Sequence, residues 1–267
     1  RVAGTVDGVA SAEVGESAGE VARVTVVLAA DPGSEASFQA VRDLRDAVAA
    51  TDPTSVVGGT VAAQLDREDA EDRDRRVVIP IVLALVLAVL VALLRAVVAP
   101  VLLVLTVIAS FFASVGASWL LFDTVLGFPA LDPGVLLLSF LFLVALGVDY
   151  NIFLVTRARE EARVVGTHDG MLVALRVTGG VITSAGVLLA AVFAVLGVLP
   201  LITLTQIGII VCVGVLLDTL LVRTVIVPAL AFILGERFWW PTRLRRAPNP
   251  PSESLEQVKL PAGYESP

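Results

Sequence analysis

The chain has 267 residues, of which 57% are hydrophobic and only 17% charged, with a formal net charge of −7 and a mean hydropathy of +0.89. A soluble domain this apolar would expose large greasy patches, so a bilayer is the expected solvent for much of it. A single cysteine (Cys212), a single histidine (His168) and a single lysine (Lys259) argue against a disulfide framework, a structural zinc site and a P-loop nucleotide site. No metal or other cofactor is expected, and the acidic balance does not suit nucleic acid.

Residues 1–76 hold eight arginines against fifteen acids, which accounts for the whole net charge. Val21–Leu28 (VARVTVVL) is β-branched and reads as a strand, closed by the turn Asp31-Pro32-Gly33. Ser34 then caps a predicted helix with Phe38, Val41, Leu44 and Val48 at helical spacing, ending near Asp52-Pro53. A second short strand is expected around Ser55–Val57, giving a small α/β unit. Asp66–Arg76 (DREDAEDRDRR) reads as a solvated helical stalk with i,i+4 ion pairs rather than a binding patch.

A span needs about 20 apolar residues. Five segments qualify: 77–94, 97–122, 134–156, 177–199 and 201–234, the last long enough to bend near Pro228. In hydrocarbon they must be helical, because only an intra-segment ladder satisfies the backbone. The fold class is therefore mainly α, a polytopic membrane helix bundle preceded by a small α/β subdomain. Arg95 follows span one. Arg157, Arg159, Arg163 and Arg176 follow span three, and Arg237, Arg243, Arg245 and Arg246 follow span five. The connections after spans two and four carry no Lys or Arg. That asymmetry predicts residues 1–76 outside and the tail 235–267 in the cytoplasm. In that tail, Trp239-Trp240 with the arginines reads as an interfacial anchor, and 248–267 as disordered. His168 is expected in a solvated cytoplasmic loop. Arg1 in place of a methionine suggests a piece of a longer protein.

Ionisable residues inside a membrane are costly and mark function by default. Asp149, Asp218 and Arg223 qualify. Counting along the spans puts Asp149 and Asp218 at similar depth, and Thr183 and Ser184 level with Asp149 as expected hydrogen-bond partners. Burial among Leu, Val and Phe disfavours the charged form of a carboxyl, which suits a group that loads and releases a proton. Tyr150 points about 100° away from Asp149 and offers a phenol to another neighbour, while Gly147 permits close helix approach. Asp218 and Arg223, five residues apart, are expected to point about 140° away from each other, with Arg223 snorkelling to the interface.

Gly147-Val148-Asp149-Tyr150-Asn151-Ile152-Phe153-Leu154, followed by Arg157, Arg159, Glu160 and Glu161, resembles the GxDYxxFLxxRxREE signature of the MmpL family of RND-superfamily exporters. Leu217-Asp218-Thr219 with Arg223-Thr224, Pro228-Ala229 and Trp239-Trp240-Pro241 is similar to the end of that family's last span, and residues 20–62 to its second external domain. The resemblance implies the C-terminal half of a twelve-span transporter. Asp149 and Tyr150 would be the proton relay, with Phe153 packed beside them. The expected partners are an N-terminal half bearing a matching DY pair, the lipid bilayer and a lipid or other hydrophobic substrate; a homo-oligomer is compatible with this reading. The implied function is proton-motive-force-driven export across the bacterial inner membrane, with motion passed through the stalk. Two alternatives stay open: an intramembrane aspartyl protease using Asp149 and Asp218, and a non-transporting sterol-sensing or scaffold module.

Overall fold

A computed structural model describes residues 2–19 and 21–242. The basic patch at Arg243, Arg245 and Arg246 and the tail beyond it lie outside the described residues. The chain divides into two compact units, Arg1–Val78 and Ile79–Pro267.

The first unit is a hairpin, a helix and the opening turns of a second helix. Strand β1 (Val9–Ala18) pairs antiparallel with β2 (Val21–Leu28), from Val9 opposite Leu28 to Ala18 opposite Val21. β1 was not expected, because Val9–Ala18 (VASAEVGESA) mixes small, glycine and acidic residues that lack strand propensity. It forms by pairing with the β-branched β2. The strand expected at Ser55–Val57 does not form; that stretch is extended without a ladder partner, and the Val57 carbonyl instead accepts from Arg45 Nη2 at 3.4 Å. The order is thus strand, strand, helix rather than strand, helix, strand.

Helix α1 (Glu35–Thr51) begins where Ser34 Oγ accepts from the Ser37 amide at 3.2 Å. Its apolar face buries Phe38, Val41 and Leu44. Ala62 and Leu65 from the start of helix α2 (Thr60–Leu94) complete a small core with Phe38 and Val41. Arg45 grips Asp66 with both terminal nitrogens, at 2.6 and 2.9 Å. The charge run is helical, as expected, with Asp72 paired to Arg75 at 3.2 Å and Arg76 at 3.9 Å.

The second unit is the apolar bundle. After α2 come α3 (Val98–Leu121), α4 (Pro133–Val165), α5 (Thr167–Leu196), α6 (Ile202–Leu217), a π-helical stretch (Asp218–Ile226) and α7 (Val227–Leu234). Counting the last three as one rod, five helices are long and apolar enough to cross a membrane. α4 packs on α5 and α6, α5 on α6, and α3 on α6. The crossings use small residues: a Cβ on Gly208 would lie 2.6 Å from the Gly197 nitrogen.

Helix ends differ from the apolar limits. α4 runs to Val165 and α5 starts at Thr167, with only Gly166 (φ 91°) between them, so the expected arginine-bearing loop is helix. Hydropathy marks where hydrocarbon ends, and a helix can continue into water. His168 accordingly sits in the first turn of α5, stacked on Phe232 with ring centres 4.2 Å apart.

At the opposite end of α4, Asp132 caps the helix by accepting from the Gly134 amide and receives the Thr203 hydroxyl, both at 3.0 Å. Gln206, fully buried, accepts from the Asp132 amide at 3.0 Å and donates to the Ala130 carbonyl at 2.9 Å. This node ties the α3–α4 connection to the start of α6.

Two outcomes follow for the first unit. Leu65→Ala, at a fully buried site, should destabilise it by about 2–5 kcal/mol, read by denaturant unfolding of that unit's amide-exchange protection. The hydrogen bonds from Arg45 hold the Asp66 carboxyl below the usual carboxylate range, so the contribution of this pair is present above about pH 4 and lost as pH falls through the lowered value. Asp66→Asn should therefore speed amide exchange along α1 at pH 6, with the difference from wild type shrinking as the Asp66 carboxyl becomes protonated at acid pH.

Candidate functional site

The last apolar rod is where the geometry departs most from regular helix. Pro228 opens α7 and cannot donate to the Thr224 carbonyl, so the α ladder cannot run unbroken through this point. The chain upstream widens to i→i+5 bonding over Asp218–Ile226. The irregularity lies in this stretch just before Pro228. Widening brings residues five apart onto one face. Arg223 Nη2 donates to Asp218 Oδ2 at 3.0 Å, with side chains only 2% and 8% exposed. The expected snorkelling of Arg223 and the 140° divergence from Asp218 are thus corrected. Both rested on 100° per residue, which a π-helical turn does not keep.

The pair faces α4. Gly147 lies against the Asp218 carboxyl, and a Cβ there would be in ordinary van der Waals contact with it at 3.7 Å. The Arg223 guanidinium lies over the Tyr150 ring, 4.9 Å from its centre, a cation–π contact in a dry setting. Asp218 Oδ1, Thr219 Oγ1, and Arg223 Nε and Nη1 are buried without a hydrogen-bond partner. A cavity of about 10 Å³, the room of one water molecule, touches Ser110, Gly147, Tyr150, Asp218 and Thr219.

Asp149 occupies a different environment. Its side chain lies on the exposed face of α4, in line with Ala145 and Phe153 and with Phe142, whose ring meets Phe193 of α5 with centres 5.4 Å apart. The expected bonds from Thr183 and Ser184 do not form. Ser184 is exposed and donates to its own helix, to the Val181 carbonyl at 2.9 Å, and Thr183 makes no bond to Asp149. The reason is rotational: equal depth does not put two residues on facing sides of their helices. Asp149 and Asp218 are nevertheless close in height, because Asp218 abuts Gly147, two residues or about 3 Å of rise from Asp149. They share no hydrogen-bond partner, and Asp218 is committed to Arg223, so they do not form the carboxyl dyad that an aspartyl protease requires.

Sequence reasoning assigns no role to three polar residues of the bundle that the structure buries: Asn151, with both amide atoms unpartnered; Thr219; and Gln206. Each was visible as a polar side chain inside an apolar run.

The MMPL family's sequence profile matches residues 5–253. The chain is 49% identical over 223 residues to the Streptomyces coelicolor membrane protein SCO0839, covering 83% of the chain and 32% of that relative. It is 38% identical over 202 residues to the apo-petrobactin exporter of Bacillus anthracis (76% and 27%). It is 37% identical over 191 residues to the sulfolipid-1 exporter MmpL8 of Mycobacterium tuberculosis (70% and 17%). The chain thus spans about a third or less of the curated relatives it matches. With five long apolar helices, a DY-bearing span and a profile match over nearly its whole length, this multi-pass membrane chain belongs to the MMPL family.

Proposed function

We propose that the complete protein is a proton-motive-force-driven exporter of lipids or other hydrophobic compounds across the bacterial inner membrane, with Asp149 and Tyr150 as its proton relay. The observation that carries this reading is the placement of two adjacent residues. Asp149 presents a carboxyl on an exposed face of α4, while Tyr150 reaches beneath the guanidinium of a buried ion pair. A carboxyl facing acyl chains costs a few kcal/mol, so this stripe calls for a covering helix. A second half with its own DY pair suits that place. Proton arrival at Asp149 changes the charge one residue from the Tyr150–Arg223–Asp218 contacts, and a change there repacks α4 against the π-helical stretch. Phe153, one turn along the same stripe, shields the carboxyl. α2 then links the bundle to residues 1–76, which this reading puts outside, with the tail inside. Two relatives carry the word exporter in their names, which supports transport over catalysis.

Asp149→Asn in the complete protein should lower proton-driven export at least ten-fold in vesicles while leaving protein yield unchanged; undiminished export would remove the relay role. Arg223→Leu leaves Asp218 buried alone, and should cost about 3–5 kcal/mol in thermal unfolding of the solubilised protein. Adding Asp218→Leu should return most of that stability without returning transport. Recovery of both would make the pair purely structural.

A further inference from the structure

α2 ends at Leu94, and the chain turns into α3 through Arg95 at φ 44°, in the left-handed region. The residue after a helix that adopts this conformation is usually glycine, sometimes asparagine, because a Cβ is disfavoured there. The turn itself therefore does not explain an arginine. The Arg95 carbonyl accepts from the Thr242 hydroxyl, but its side chain is exposed and its guanidinium has no partner among the described residues.

Opposite this turn, α4 presents Arg159 and Arg163 one helical turn apart. Arg159 Nη1 reaches the Leu93 carbonyl at 3.4 Å, and its Nε is buried without a partner. The two charges that bear on Arg159 are Arg163 and Arg95, both of the same sign. The neighbouring acids are engaged elsewhere: Glu160 and Glu161 pair with Arg157 at 3.3 and 2.5 Å. Three guanidinium groups thus converge with no counter-ion among the described residues. They do so where the apolar run of α2 stops at Leu94 and that of α4 at Thr156, which is headgroup depth. Leading away from them along α2 is an exposed apolar stripe of Leu85, Val89 and Leu93.

We propose that Arg95, Arg159 and Arg163 bind the phosphate of an anionic phospholipid whose acyl chains lie along that stripe of α2. Guanidinium forks match phosphate oxygens in bidentate geometry, and basic pockets between membrane helices take anionic headgroups. The apolar stripe selects a lipid over a free phosphate. This site does not depend on the transport reading, since it requires only a membrane boundary at this level.

The test is native mass spectrometry of the complete protein, purified with equal phosphatidylglycerol and phosphatidylcholine. Wild type should retain phosphatidylglycerol at least five-fold over phosphatidylcholine, and millimolar glycerol phosphate should not displace it. Arg159→Gln with Arg163→Gln should bring the ratio to about one. Arg95→Gly relaxes the turn, so it should lower the ratio while leaving the melting temperature in phosphatidylcholine equal or higher; it carries the test if the double variant misfolds. Equal retention by wild type, an unchanged ratio in Arg95→Gly, or displacement by glycerol phosphate would overturn the assignment.

Discussion

A carboxylate and a guanidinium deep in an apolar rod each lose several kcal/mol of hydration, and they recover it only by meeting each other. On a regular α-helix, side chains at Asp218 and Arg223 would diverge by about 140°. The widened ladder of residues 218–226 removes that divergence and sets the contact at 3.0 Å. The neighbouring features serve the same contact. Pro228 removes the α-type bond to the Thr224 carbonyl, Gly147 packs against the carboxyl, and the Tyr150 ring lies against the guanidinium face. Regular helix across 218–226 would separate the two charges. The pair therefore acts more as a specifier of one arrangement than as a source of stability.

The two acidic residues of the bundle have separate environments despite their similar height. Asp218 looks inward and is neutralised by Arg223, while Asp149 looks outward from α4. Tyr150 lies between them in chain order and packs inward, against the guanidinium of the inner pair. In this arrangement one residue step along α4 separates a group open to an incoming partner from a group locked inside the bundle.

How much of this was legible depends on which physical signal each feature leaves. Unbroken apolar runs such as Val77–Leu94 revealed the spans, since hydrocarbon tolerates no other composition. Ser34 and the Asp31-Pro32-Gly33 turn announced α1, because capping chemistry is local. Asp149 and Tyr150 stood out as polar residues in an apolar segment. Helix ends at Val165 and Thr167 were invisible to hydropathy, which reports solvent and not hydrogen bonding. β1 left little trace because its strand character comes from its partner. The Asp218–Arg223 contact was missed for assuming regular helix, although Pro228 ten residues after Asp218 was the available warning.

The Gln206–Asp132–Thr203 node has a mechanical consequence. It ties the start of α4 to the start of the α6 rod, while the widened stretch, residues 218–226, lies further down that rod. A tie at one end means that any relative displacement of the two rods is smallest there and grows with distance from it.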